Sequence, residues 1–440
     1  MNFEIASILP LHPVRVRLQA DRMAPRVHLT ILMSKPVLRR GRTIWVGEKK
    51  SAPRFPILRG RHHVDVAIVG GGMTGAMIAE SFTRHGVSVA VIEAARIGMG
   101  STAASTALLL QEPDYDLDAL TGKYGRRKAT RIWQLGQDAA ADFIDTIRRL
   151  EIDCDLRERD SLYYTLAADR AKLLQRELKR RRQAGLGGAW LDARALKRVS
   201  GIRGDGGAIR TTGNAQLDPL RACFGLIAAA ASRGAKIFER STINRIRRVG
   251  DGVRLYSSRG TIDARQVVIA TGYATKYFRP LAGRFSMRRT YVLATNRIGL
   301  LARRRLGMGR VMLWDTERPY HYVRWTRDHR LLLGGADHPV KPGARREQQF
   351  KQATTALREY FEELFPVLRD VGIDRSWEGL FAMTPDSLPY IGPHRRYPKH
   401  AFALGYGGNG MTFAALAARI LVEQWQGIES SDHELFAFNR

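Results

Sequence analysis

The stretch from residue 64 to residue 94 restricts the possible folds of this chain more than any other part of the sequence. It reads VDVAIVGGGMTGAMIAESFTRHGVSVAVIEA. Its two short apolar runs, residues 64–69 and 87–92, predict parallel strands that are buried on both faces. Residues 73–84 between them have helical spacing. The stretch therefore predicts a strand–helix–strand unit of an α/β domain.

The turn inside this unit carries the pattern G-x-G-x-x-G, formed by Gly70, Gly72 and Gly75. Gly70 permits a tight turn, Gly72 lets the backbone approach a pyrophosphate, and Gly75 allows close packing of helix on strand. The helix N-terminus presents N–H groups and a positive dipole end to phosphates. Glu93 ends the second strand, where a carboxylate can bind ribose hydroxyls and would repel the 2′-phosphate of NADP. These features together predict a dinucleotide-binding site.

Three later segments narrow the cofactor. A loop of small residues, 95–106, follows the second strand and would let a large planar group lie against the backbone. Residues 266–273 predict a buried strand that ends in A-T-G. Residues 401–425 run from a strand through four glycines into a long helix. A helix N-terminus aimed inward by such a turn suits the negative charge of a reduced flavin ring.

In this order the segments resemble the flavin amine oxidoreductases of the D-amino-acid oxidase superfamily, which includes glycine, sarcosine and gamma-glutamylputrescine oxidases. The motifs are GGGMTG, the GMGST loop, NAQLDPLRACFGLIAAAASRGAKIFE, ATGY, YHYVRWTRDHRLLLGGADH, TPDSLPYIG and GYGGNGMT. The resemblance implies an α/β fold in which a Rossmann-like FAD-binding domain is interleaved with an α+β substrate domain on a mostly antiparallel sheet. It also implies that FAD is lined by Gly70, Gly72, Gly75, Glu93, Gly100, Ser101, Gly272, Gly408 and Gly410.

The resemblance and the predicted elements divide the chain into three parts. The predicted FAD-binding domain comprises residues 45–110, 213–275 and 384–440. The predicted substrate domain comprises residues 111–212, which we expect to be mainly helical from residue 116, and residues 276–383. Residues 1–44 are predicted to be a basic, poorly ordered extension, and Met33 is an alternative start of the protein.

Residues 319–324 predict a strand that places Tyr320, Tyr322 and Arg324 on one face. Two phenols and a guanidinium can bind a carboxylate. The resemblance supports this prediction, because related oxidases hold the substrate carboxylate with an arginine at the position matching Arg324. The alternative is a cross-strand aromatic ladder with a surface arginine. His321 is predicted to point away from this face.

Two departures from the resembled family concern the flavin. Sarcosine-oxidase relatives tether it through a cysteine at a position matching about Gly379, whereas Cys154 and Cys223 lie far from this position. We therefore predict noncovalent FAD. Those relatives also use a lysine to speed the reaction with oxygen, and the matching position is about Leu332. The electron acceptor is therefore left open between O2 and another compound.

The resemblance implies oxidation of the C–N bond of an amino acid or amine by hydride transfer to flavin N5, which gives an imine that hydrolyses. Two alternatives stay open. The 72 basic and 42 acidic residues, a net charge of +30, would suit a tRNA-modifying flavoprotein acting on a modified uridine side chain. Because the arginines are scattered, nucleic acid is not the favoured partner. The other alternative is a non-catalytic FAD-binding protein.

The composition excludes several other classes. The two cysteines form no CxxC pair, so the sequence predicts neither a disulfide framework nor a metal site. No apolar run approaches the ~18 residues that a transmembrane helix requires. We predict a cytoplasmic enzyme whose partner is a small-molecule amine or amino acid.

Overall fold

Two large β-sheets organise the computed structural model of the chain, which describes residues 38–47, 53–340 and 345–440. The strands in chain order are β1 (Arg39–Gly41), β2 (Gly60–Val69), β3 (Val89–Ile92), β4 (Leu108–Leu109), β5 (Arg157–Glu158), β6 (Asp160–Thr165), β7 (Ala189–Asp192), β8 (Gly207–Thr211), β9 (Ala215–Gln216), β10 (Lys236–Phe238), β11 (Arg245–Val249), β12 (Gly252–Tyr256), β13 (Gly260–Gly272), β14 (Ser286–Thr295), β15 (Val311–Asp315), β16 (Tyr322–Trp325), β17 (Leu331–Pro339), β18 (Ile373–Met383), β19 (Tyr390–His394) and β20 (Tyr397–Leu404). The helices are α1 (Met73–Arg84), α2 (Ser101–Ala104), α3 (Leu117–Arg149), α4 (Ala168–Gln183), α5 (Ala193–Ser200), α6 (Pro219–Ser232), α7 (Arg279–Ala282), α8 (Leu300–Leu306), α9 (Arg346–Leu364), α10 (Gly410–Trp425) and α11 (Ser431–Glu434).

The first sheet contains the predicted dinucleotide-binding unit. Its order is β10-β3-β2-β13-β12-β11, with β20 also paired to β13 and β19 paired to β20. Strands β10, β3, β2, β13 and β20 are parallel neighbours. Helix α1 packs between α6 and α10 on one side of this sheet. The sequences of the buried strands are mostly apolar because both faces of these strands are covered.

The second sheet has nine strands in the order β1-β18-β14-β17-β16-β15-β6-β8-β7. Every neighbouring pair is antiparallel except β15 and β6. One face packs on α9 through apolar side chains that include Leu293, Leu333, Leu357 and Phe361. The opposite face carries the candidate site described below. This combination of a Rossmann-like sheet and a mostly antiparallel sheet is the architecture that the sequence predicts.

Two features of the structure go beyond the sequence predictions. Residues 116–212 are mainly helical, as predicted, through α3, α4 and α5, but they also supply strands β6, β7 and β8 to the second sheet. These strands are short, and no long period-two pattern marks them in the sequence. Secondly, the predicted extension reaches residue 44, but Arg39–Gly41 forms edge strand β1, which pairs with β18. Residues 1–37 lie outside the described residues.

Gly41 explains how β1 can lie so close to β18. Its φ is +84°, and a Cβ at this position would lie 2.4 Å from the carbonyl oxygen of Ser376. A larger residue would therefore push β1 away from the sheet.

Within the described part of the chain, no helix is long and apolar enough to cross a bilayer.

A buried ion pair fixes the segment that follows β18. The guanidinium of Arg440 donates from Nε to Asp386 Oδ2 at 2.7 Å and from Nη2 to Oδ1 at 2.8 Å. Both side chains are only 5% exposed. Burial alone would raise the pKa of Asp386, but Arg440, Tyr124 and Thr384 outweigh burial and hold that pKa well below its ordinary value. Arg440 also lies over the ring of Tyr390.

Arg440→Ala is expected to lower the free energy of unfolding by about 3–5 kcal/mol at neutral pH, because it leaves the Asp386 carboxylate buried without its cation. Urea denaturation of the FAD-saturated protein measures this. The control is Arg170→Ala, which removes an exposed pair with Glu317 and should cost less than about 1 kcal/mol. Equal losses in the two variants would contradict the assignment.

The same variant should show a distinct pH dependence. In the parent protein the lowered pKa of Asp386 stabilises the fold above the ordinary value of 3.8, and this contribution is lost only in strong acid. Without Arg440, burial favours the protonated carboxyl in the folded state. The loss of unfolding free energy in Arg440→Ala should therefore become smaller as the pH falls from 8 to 5. A loss that does not depend on pH would contradict this.

Candidate functional site

The turn after β2 has the geometry that its glycines predict. Gly70 has a φ of +116°, which disfavours any larger residue. A Cβ on Gly75 would lie 1.9 Å from the carbonyl oxygen of Gly70, so α1 can approach β2 only with glycine there. Gly72 is the N-cap of α1, and it provides no side-chain cap for the helix. The first turn of α1 therefore suits phosphate groups.

The carboxylate of Glu93 is held at the end of β3. Its Oε2 accepts a hydrogen bond from the Gly71 N–H at 2.8 Å, and its Oε1 accepts from the Ala95 N–H at 2.7 Å. The side chain is half-buried. Each carboxylate oxygen can accept more than one hydrogen bond, so Glu93 fits the ribose hydroxyls of FAD.

Two further predicted cofactor glycines border open space. Gly272 ends β13 with a φ of +79°, and Gly410 begins α10. A Cβ on either residue would meet no atom of the described residues within 4 Å. Helix α10 also lacks a side-chain N-cap. The space beside the end of β13 and the start of α10 leaves room for a bound cofactor, and the role of both residues in lining FAD stays a prediction.

Gly100 and Ser101 make protein contacts instead. A Cβ on Gly100 would lie 2.9 Å from Cδ1 of Leu38, and the Ser101 hydroxyl donates to the carbonyl of Leu380 at 2.7 Å. The Ser101 bond holds α2 against β18. The role of Gly100 and Ser101 in lining FAD stays a prediction.

Two indoles fix the small-residue loop after α2. The Nε1 of Trp377 donates to the carbonyl of Ala104, and the Nε1 of Trp45 donates to the carbonyl of Ser105, each at 2.8 Å. A Cβ on Gly379 would lie 2.8 Å from the Ala104 side chain. The loop is thus held close to the second sheet by contacts that the sequence pattern does not reveal.

The second glycine turn is joined to the second sheet by Asp114. The Gly408 N–H donates to Asp114 Oδ2 at 2.8 Å, and the Tyr320 hydroxyl donates to Oδ1 at 3.1 Å. The Asn409 side-chain amide also donates to Oδ1, at 3.2 Å. Burial raises the pKa of Asp114, while the Gly408 and Tyr320 bonds oppose the shift. Gly408 leaves room for this contact, since a Cβ there would lie 2.4 Å from the Tyr320 hydroxyl oxygen.

The face of the second sheet that looks toward this turn is called the inner face, and it is defined by Tyr163, Thr290, Val292, Trp314, Tyr322, Leu332 and Trp377. Cross-strand pairing aligns these residues on adjacent strands. The rings of Tyr163 and Trp314 stack with centroids 3.9 Å apart. The Thr290 and Tyr322 hydroxyl oxygens are 2.8 Å apart. The inner face therefore offers an aromatic floor with hydroxyl groups.

Tyr320 reaches this surface without belonging to a strand. β16 begins at Tyr322, so the predicted strand from residue 319 is too long. The Tyr320 ring nevertheless lies 6.1 Å from the Tyr322 ring and 6.3 Å from the Trp314 ring. Burial and the Asp114 charge raise the pKa of Tyr320 well above its ordinary value. His321 lies on the other side, as predicted, stacked on Tyr360.

Arg324 is a buried cation held by backbone carbonyls. Its Nε donates to the carbonyl of Thr106 at 2.6 Å, and its Nη2 donates to that of Leu217 at 2.9 Å. The side chain is 2% exposed and lies over the ring of Trp45. Burial lowers the pKa of Arg324 to about 10. These contacts join the loop after α2 to the second sheet. The role of Arg324 as a carboxylate ligand stays a prediction.

Asp337 and Asp114 are site residues that the sequence patterns do not single out. Asp337 lies on β17, and burial raises its pKa to about 6, although a hydrogen bond with Thr290 opposes the shift. The Asp337 charge also raises the pKa values of Tyr320 and Tyr322. Asp337 therefore lies beside the aromatic groups of the inner face. One available signal is the acid two residues after the paired glycines in RLLLGGADH.

Gly75→Ala and Gly410→Ala are expected to separate folding from cofactor binding. The first variant should lower the stability of the apoprotein by about 1–3 kcal/mol, because its Cβ overlaps the backbone. The second should leave apoprotein stability unchanged within about 0.5 kcal/mol and weaken FAD binding by at least about tenfold. Thermal melts and FAD titration measure these effects. Unaltered FAD affinity of Gly410→Ala would show that the cofactor does not occupy the space beside it.

The comparisons with known proteins agree with this geometry. The model of the family described as DAO, FAD dependent oxidoreductase, matches residues 65–424. The chain is 28% identical over 380 residues to gamma-glutamylputrescine oxidoreductase of Escherichia coli, covering 86% of this chain and 87% of that protein. It is 25% identical over 379 residues to glycine oxidase of Bacillus licheniformis, covering 83% and 94%.

Solved structures show the same fold. Glycine oxidase from Geobacillus kaustophilus superimposes with a TM-score of 0.72 at 23% identity, over 84% of this chain and 96% of that one. L-amino acid deaminase from Proteus myxofaciens, in complex with anthranilate, gives a TM-score of 0.73 at 16% identity, over 92% and 99%. The predicted fold class and family are confirmed. This chain belongs to the DAO family of FAD-dependent oxidoreductases.

Proposed function

We propose that this FAD-dependent oxidoreductase oxidises the C–N bond of an amine or amino acid at the inner face, opposite the glycine turn of residues 405–410. The observation that carries the proposal is the Asp114 bridge, which brings Tyr320, beside the inner face, against Gly408 of the turn. The relatives named as glycine oxidase and gamma-glutamylputrescine oxidoreductase support this reaction class. The boundaries of the FAD-binding and substrate domains given above are part of the same proposal.

The side chains of the site have separate tasks in this proposal. FAD, when bound, would accept a hydride from the carbon beside the substrate nitrogen. Gly70, Gly72, Gly75 and Glu93 would hold its phosphates and ribose. On the inner face the Trp314 and Tyr322 rings would orient the substrate and exclude water.

Noncovalent attachment of FAD is also proposed. Gly379 stands where some relatives carry the tethering cysteine, and Ala104 leaves no room for a side chain there. Cys154 and Cys223 are both buried and unbridged. Burial also raises the pKa of each thiol, which disfavours a reactive thiolate. The unbridged cysteines also suit the proposed cytoplasmic location.

Acid precipitation of the purified holoprotein is expected to release all of the flavin into the supernatant. The polypeptide should then have the mass of the bare chain, 49.4 kDa, in denaturing mass spectrometry. A yellow pellet, or a mass increased by that of FAD, would show a covalent bond and overturn this part of the proposal.

The experiment that tests the reaction is anaerobic bleaching of the bound flavin by a panel of amino acids and amines, followed by air. We expect at least one compound to bleach the flavin within minutes. Rapid recovery of colour in air indicates an oxidase. Slow recovery indicates that the reduced flavin passes its electrons to another acceptor. The apolar Leu332, which lies about where some relatives carry the lysine that speeds the reaction with oxygen, favours the second outcome. If no member of the panel bleaches the flavin, the proposed reaction is wrong, and a modified RNA becomes the next substrate to test.

A further inference from the structure

We propose that Arg288 and Asp337 form the recognition pair for an amino-acid substrate, with Arg288 binding the carboxylate and Asp337 binding the amino group. The inference rests on the proposed function and narrows its substrate class from amines in general to amino acids. Arg288 thus takes the role that the sequence suggests for Arg324.

A β-bulge aims Asp337 at the inner face. The pairing of β14 with β17 shifts register between Arg289 and Tyr291, opposite residues 335–338. Ala336 has a φ of +52° in this bulge, which is uncommon for a residue other than glycine. An extra residue in one strand reverses which side the following side chains face. Asp337 therefore lies beside Thr290, and His338 lies near Tyr291 on the opposite face.

Arg288 reaches the same face from β14. It is two residues before Thr290, whose hydroxyl meets Tyr322, so the two side chains point the same way. Its cross-strand partner on β18 is Phe381, which is apolar. The neighbouring Arg289 points to the opposite face, where its Nη1 donates to Glu378 at 2.9 Å.

Both charged groups have polar atoms that the fold leaves without a partner. In the described part of the chain, neither Nε of Arg288 nor Oδ1 of Asp337 has a hydrogen-bond partner, although both atoms are buried. An unbonded buried polar atom is costly, and a bound ligand is one way to satisfy it. Arg324, by contrast, already donates to three carbonyls, those of Thr106, Trp325 and Leu217.

The arrangement of charge favours a zwitterion over a simple amine. The charged and titratable groups that act on Asp337 are Arg288, Asp114, Tyr320 and Tyr322, together with His321 from the opposite face, and of these Arg288 and His321 favour its ionised form. An amine without a carboxylate would satisfy Asp337 and leave Arg288 unpaired. A carboxylate without an amino group would pair with Arg288 and leave Asp337 without a partner. An amino acid satisfies both, because its two charges are separated by one carbon.

Asp337 also has a chemical task in this arrangement. The substrate ammonium must lose a proton before its lone pair can form the C=N bond. In the proposed step the ammonium N–H breaks and Asp337 takes the proton on its carboxylate. With FAD bound, the carbon-bound hydrogen would leave the substrate with its electron pair, the substrate would be oxidised to an iminium, and FAD would accept the hydride. Water hydrolyses the iminium to an oxo acid and ammonium.

The first test measures binding of a carboxylate, independently of turnover. Propionate is titrated into the holoprotein, and the change in the flavin absorption spectrum is recorded. Arg288→Met should weaken propionate binding at least about tenfold, the loss expected for a hydrogen-bonded ion pair. The matched control is Arg297→Met, because Arg297 is exposed, follows β14 and pairs with Asp328. Retained FAD content and melting temperature show that each variant is folded.

The second test compares each amino acid of the bleaching panel with the amine obtained by removing its carboxylate. In the parent protein the best amino acid should reduce the flavin at least about a hundredfold faster, at equal concentration, than its matched amine. Arg288→Met should abolish most of this preference. Asp337→Asn should slow reduction and remove the loss of rate that the parent shows below a pH of about 6.

The outcomes separate the two proposals. If amines reduce the flavin as fast as amino acids, or if Arg288→Met binds propionate like the parent, the recognition pair is wrong while the proposed reaction stands. An unchanged pH profile of Asp337→Asn overturns the role of Asp337. If no compound reduces the flavin, the proposed reaction fails, and the propionate titration still decides whether Arg288 binds a carboxylate.

Discussion

The carboxylate of Asp114 is the contact on which the geometry of the site depends. It receives hydrogen bonds from Tyr320 on the sheet side and from Gly408 and Asn409 on the turn side. Tyr320 is far in the sequence from Gly408 and Asn409, and it lies beside the second sheet, whereas the other two belong to the glycine turn that precedes α10. A single acceptor with four lone-pair sites can join them because a carboxylate accepts from several directions. The hydrogen bonds from three donors stabilise the carboxylate and offset part of the free-energy cost of removing it from water.

The parts of the fold that the sequence predicts best are those set by local rules. The glycine pattern and the apolar runs locate β2, α1 and β3, and the observed α1, Met73–Arg84, has the predicted bounds. The pairing of β1 with β18 could not be predicted, because three residues near a proline-rich segment carry no periodicity. The bulge at Ala336 was equally hidden, since its position depends on the strand beside it.

The site shows a similar division. Period-two alternation correctly brings Tyr320 and Tyr322 to one side, but it says nothing about what a side chain bonds to. Arg324 illustrates the difference: its spacing suggests a substrate ligand, whereas backbone carbonyls surround its guanidinium. Arg288 is one of two adjacent arginines, and no sequence motif singles it out. Only the register with β18 and β17 shows that it points to the inner face.

The short strand β1 has a consequence for the behaviour of the protein in solution. β18 is eleven residues long, and without β1 its outer backbone groups would form an open sheet edge. Such an edge is a template for pairing with another chain. Arg39, as part of the covering strand, adds positive charge to the new edge, while Arg40 pairs with Glu347. Strand β1 thus shortens the stretch of β18 that is open to pairing with a second molecule.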